Sequence, residues 1–126
     1  MKFSTLLIIN AIVALVFGIG FLLVPAFVLT LYGVSPGPGV NIVGQFLGVE
    51  FIALGLLSWF ARYEQDSSAQ QPIILAFLIS DVIGLIISLI GTLTGVLNAF
   101  GWSAVVIYLF FSLGFAYFQF MKPGTA

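Results

Sequence analysis

Polar residues are sparse along this chain and punctuate four long apolar runs at 3–24, 40–60, 72–95 and 101–121. Each run reaches the ~20 residues that a helix needs to cross a hydrocarbon core of ~30 Å. Between the first two lies PAFVLTLY, residues 25–32, which is too short to span. Pro25 suits a first helical turn, and Tyr32 suits the aromatic belt at a membrane surface, so a short interfacial helix is expected over 25–32. Gly33 to Gly39, GVSPGPG, then reads as a loop. The polar stretch RYEQDSSAQQ reads as a solvated turn, and Pro72 as the first turn of the third run. Residues 96–100 make a short turn carrying Asn98. The pattern predicts an all-α fold: an integral membrane four-helix bundle forming one domain over 1–126.

Within the runs, small and polar residues recur at helical spacing. Gly44 and Gly48 form a GxxxG pair, with Gly55 on roughly the same face. Small residues let helices approach closely in lipid, so this face is expected to pack, against the first helix or a second protomer. It points about 130° away from Glu50 at ~100° per residue. In the third run Ser80, Asp81, Gly84, Ser88, Gly91, Thr92 and Gly95 gather on one side. That polarised face predicts that the third run is the most buried. The fourth run has Trp102 at one end and Tyr117 near the other, with a phenylalanine series best read as packing. Lys122-Pro123-Gly124 is expected to end it.

Composition narrows the chemistry. The chain is 62% hydrophobic and 6% charged, too apolar for a water-facing exterior. Without Cys or His it has no disulfide, thiol chemistry, His-based triad or Cys/His metal site. No cofactor and no metal are expected. Three basic residues make no patch for nucleic acid. The first run is longer than the ~7–15 residues of a signal-peptide core, so a retained anchor is expected.

Those three basic residues, Lys2, Arg62 and Lys122, fall on one side of a four-span chain. The positive-inside rule then puts both termini in the cytoplasm. The segments LLVPAFVLTLYGV and GQFLGVEFIALGLLSWFAR, with the ALGLL-type helix end, resemble the DoxX-like group of small bacterial four-helix membrane proteins and its uncharacterised relatives. The resemblance covers most of the chain. It implies a four-helix bundle in a bacterial inner membrane and transfers no catalytic residue. Small four-helix multidrug exporters are similar in size only, because their essential glutamate lies in the first helix, where this chain has Asn10.

The candidate site is a polar cluster within the membrane. Glu50 and Asp81 each lie about 13–15 Å from the side of the termini at 1.5 Å per residue, and Asn10 about 10 Å. The second and third runs are joined by a short loop, which predicts antiparallel neighbours. Their carboxyls are then expected to meet, with Asn10 as a further donor. An ionised carboxylate at the bilayer centre costs about 2.5–3.5 kcal/mol on insertion scales. At least one of the pair is therefore expected to carry a proton. Gly44, Gly48, Ser80, Gly84, Ser88 and Gly91 are the candidate packing residues. No nucleophile–base pair is visible. The expected role is a non-enzymatic membrane subunit or scaffold, packing with partner helices or a second copy, or binding a lipid- or quinone-like ligand. The alternative is a proton- or cation-coupled carrier using Glu50 and Asp81.

Overall fold

A computed structural model describes residues 1–121. The described residues are helical and contain no strand. The helices are α1 (Phe3–Leu23), α2 (Pro25–Leu31), α3 (Pro38–Ala61), α4 (Ser67–Leu93) and α5 (Gly101–Ala116), the last continued by a π-helical turn over Tyr117–Met121. Four of them, α1, α3, α4 and α5 with its turn, are long and apolar enough to cross a membrane. Large apolar side chains such as Phe46, Phe60, Ile87 and Phe120 stand exposed on the outside, as suits a surface that meets lipid rather than water. The chain is a small membrane protein. Lys122, Pro123 and Gly124, read as the stop after the fourth run, lie outside the described residues.

The helix ends follow local chemistry. Pro25 and Pro38 each occupy the opening turn of their helix, where a missing N–H costs nothing. Gly95 adopts φ +81° after α4 and lets the chain reverse. Thus α4 stops at Leu93, and Gly95 belongs to the turn rather than to the third run.

The start of α4 corrects the sequence reading. The helix begins at Ser67, and Pro72 lies inside it rather than in its first turn. The cause is Asp66, whose carboxylate accepts from the Ser68 N–H at 3.0 Å and the Ser68 hydroxyl at 2.8 Å. An Asp in that position satisfies amides that the first turn leaves free. Part of the supposed solvated turn is therefore helix.

Packing divides the bundle into two helix pairs, α1 with α3 and α4 with α5. α3 has little contact with α4 or α5, so the expected α3–α4 neighbourhood does not form. The reason lies in the faces. α1 and α3 share a glycine seam: a Cβ on Gly48 would sit 2.7 Å from the Gly18 carbonyl oxygen, and one on Gly18 2.9 Å from the Gly48 oxygen. A short loop cannot override a seam that brings backbones this close. Gln45 reinforces the pair by donating its amide to the Leu22 carbonyl at 3.1 Å, near the end of α1.

The two pairs join at the end that holds Met1. There Phe3, Leu6 and Leu7 of α1 pack with Ile74 and Phe77 of α4 and with Phe111, Phe115 and Phe118. Phe77 and Phe115 stack with centroids 5.1 Å apart. Because α1 serves both this core and the glycine seam, it is the most buried of the four long helices, a place the sequence reading gave to the third run.

Candidate functional site

At the opposite end the two pairs are tied through their loops. The Asn98 backbone N–H donates to the Tyr32 carbonyl at 3.0 Å, and its side-chain amide donates to the Leu31 carbonyl at 3.0 Å. Asn98 Oδ1 accepts from the Phe100 N–H. Gly33 takes φ +79° directly against the Asn98 side chain, where a Cβ would have only 3.0 Å. The Tyr32 ring meets Phe100 edge-on at 4.9 Å, and its hydroxyl lies 3.3 Å from that of Ser103. The turn between α4 and α5, residues 94–100, thus clasps the loop between α2 and α3.

Between this clasp and the aromatic core the pairs leave a cavity of about 390 Å³. Its walls come from all five helices. α1 contributes Asn10 and Phe17, α3 Leu47 and Phe51, and α4 and α5 Asp81 and Tyr108. The lining is overwhelmingly apolar and aromatic, with few polar groups. That combination is characteristic of a site for a small organic molecule.

Asp81 is the cavity's one carboxyl. It is 8% exposed, makes no hydrogen bond, and its Oδ2 is buried without a partner. Two donors of the cavity wall are engaged elsewhere. The Asn10 amide donates to the Ser58 hydroxyl at 2.7 Å, a buried tie between α1 and α3. The Ser80 hydroxyl donates to the Phe77 carbonyl of its own helix. Tyr108 lies within electrostatic reach of Asp81.

The expected cluster is therefore divided. Asp81 and Asn10 both border the cavity. Glu50 does not border it; it is exposed on α3 and has no hydrogen-bond partner among the described residues. The carboxyl pair expected from depth is absent because the glycine face of α3 turns toward α1. That rotates Glu50, about 130° from the glycines at ~100° per residue, away from the interior.

The small residues divide between the two pairs. Gly44 lies against Phe21 and Pro25, so the GxxxG face meets α1 and α2 within the chain. On α4, Gly84 lies flat against the Tyr108 ring and Gly91 against Leu97. Ser88 is buried and returns its hydroxyl to the Leu85 carbonyl. Ser80 faces the cavity.

Several side chains that matter here went unread in the sequence. Ser58 had a signal: it stands three residues beyond Gly55 on the same face of α3. Asn98 and Tyr32 were read singly, as a turn and a belt residue, but their union had no signal, because it joins two loops more than sixty residues apart. Tyr108 carried no local signal either; only its seat on Gly84 places it in the wall. Among the described residues no group of acidic side chains could hold a metal ion. No protein-family model matches the chain, and neither a curated protein nor a solved structure matches it.

Proposed function

We propose that this chain is a non-enzymatic membrane protein that holds a lipid-like small molecule in the cavity between its two helix pairs. One observation carries the reading: an apolar, aromatic-walled cavity of about 390 Å³ closed by a core at one end and a clasp at the other. Its volume falls in the range of about 300–1,000 Å³ typical of small-molecule sites. The seam between α3 and the α4/α5 pair lacks close packing, which gives a molecule dissolved in the bilayer a lateral path. A carrier using both carboxyls needs them in one site, and Glu50 stands outside it.

The proposal includes residence in a bacterial inner membrane with both termini cytoplasmic, α2 lying at the outer interface. Lys2 and Arg62 border one small cleft at the end of the core, in keeping with the positive-inside rule. Arg62 lies over the Trp59 ring at 3.8 Å, at the level expected of an interfacial belt. The chain has no native Cys, so single-cysteine labelling reads the orientation. Ser35→Cys, in the exposed loop after α2, should react with a membrane-impermeant maleimide from the outside only. Reaction from the cytoplasmic side alone would reverse the topology.

Ligand binding is tested with radiolabelled 8-phenyloctanol, an apolar chain with one hydroxyl, on protein in phosphatidylcholine nanodiscs. Binding above that of empty discs should saturate near one molecule per chain. Ala104 borders the cavity, and Ala104→Phe fills part of it. The variant should weaken binding by about tenfold or more, equivalent to 1.4 kcal/mol. Equal binding by the variant, or none by the wild type, counts against the cavity as a site.

A further inference from the structure

We infer that the cavity selects a lipophilic amine, a molecule with a protonated nitrogen on an apolar body, and that Asp81 is the group that receives the nitrogen. The inference deepens the reading of the cavity as a ligand site and rests on it. It starts from what Asp81 lacks. A buried carboxyl is ordinarily hydrogen-bonded or paired with a cation. Asp81 has neither, although it is 8% exposed and its Oδ2 is wholly enclosed. Two donors of the same cavity wall are engaged elsewhere: Asn10 with Ser58, Ser80 with Phe77. Its described cations, Lys2 and Arg62, border a separate cleft at the far end of the core. The site thus sets a carboxyl without a hydrogen-bond partner at the wall of a cavity.

The walls favour the same class. Aromatic faces are the negative part of the ring quadrupole and attract a cation within about 6 Å. Phe17, Phe51, Phe77 and Tyr108 all border the space that Asp81 faces. An ammonium group with an apolar body would place its N–H donors on the Asp81 carboxylate and its carbon against these rings. A free acid or a phosphate would instead set an anion beside a carboxyl with no cation to offset it. A plain alcohol could donate one hydrogen bond but brings no positive charge for the carboxyl to pair with. No bond is made or broken; the step is binding only.

The test compares three probes with one apolar body: 8-phenyloctylamine, 8-phenyloctanol and 8-phenyloctanoate. Binding to the full chain is measured in zwitterionic phosphatidylcholine nanodiscs, with empty discs subtracted to remove partitioning into lipid. The wild type should bind the amine at least tenfold more tightly than the alcohol, and the octanoate more weakly than either. Asp81→Asn keeps the shape and removes the charge. It should bind amine and alcohol within about threefold of one another. Amine and alcohol binding alike to the wild type would overturn the inference and leave the cavity reading intact. So would an amine preference that survives in Asp81→Asn. Failure of all three probes to bind saturably would overturn both readings. The wild-type ratio decides the amine preference even where Asp81→Asn does not fold, and Asp81→Ser then takes its place in the comparison.

Discussion

Gly48→Ala is expected to destabilise the fold by about 3 kcal/mol, the upper part of the usual range for forcing extra volume into a packed interior. The added methyl would meet backbone, with the Gly18 oxygen at 2.7 Å and the Leu22 nitrogen at 2.8 Å. Helical backbone cannot rotate aside as a side chain can, so α1 and α3 must move apart. That separation also strains the Asn10–Ser58 hydrogen bond and the Gln45 tie to Leu22, both of which cross the seam. The control is Gly39→Ala, in the first turn of α3, where a Cβ meets nothing within 4 Å. It should be neutral or slightly stabilising, since alanine exceeds glycine in helix propensity by up to about 1 kcal/mol. Unfolding in detergent micelles, followed by circular dichroism against added SDS, compares the two. Equal midpoints would show that the seam is looser than described.

Gly84→Leu should cost about 1–3 kcal/mol, from overpacking against α5. Here the obstruction is a side chain, the Tyr108 ring, which lies directly over the glycine. The ring can give way, but only by swinging off α4. Tyr108 is part of the cavity wall, so the displaced ring should enter the cavity and weaken 8-phenyloctanol binding. The partner variant Leu85→Ala removes three carbons from a half-buried position. It should destabilise less and leave binding unchanged. The same SDS titration, read together with binding in nanodiscs, separates them. A larger loss from Leu85→Ala would mean that α4 presents a different face to α5.

These two glycines also mark what could be read from the chain and what could not. Membrane class and helix number follow from run length, because lipid demands a continuous apolar stretch with its backbone satisfied internally. The small residues on α3 and α4 were visible as faces, but faces do not name their partners. Gly44, Gly48 and Gly55 meet α1, whereas loop length pointed α3 toward α4. Proximity in sequence is a weak guide when backbone-to-backbone packing on another helix is available. Once α3 is turned toward α1, the outward position of Glu50 follows from helical geometry alone. Its depth in the run therefore misled: depth locates a residue along the axis and says nothing about its azimuth. Asp66 misled in the opposite sense, since a polar residue in a polar stretch was the cap that lengthens α4. The cavity had no signature in the sequence, because it is the space left where two helix pairs fail to meet. Of the expected cluster, Asp81 and Asn10 reach that space, and each does so from a different pair.

The central claim, that an apolar molecule occupies the space between the two pairs, is tested most directly by intermolecular NOEs. Methyl-labelled protein in deuterated lipid nanodiscs is loaded with 8-phenyloctanol. The ligand should show NOEs at once to Val43 and Leu47 of α3 and to Ile107 of α5, all of which border the cavity. Val16 and Val106, exposed on the outer surfaces of α1 and α5, should show none. Contacts to Val16 and Val106 without contacts to Leu47 and Ile107 would place the molecule among the surrounding lipid and contradict the account.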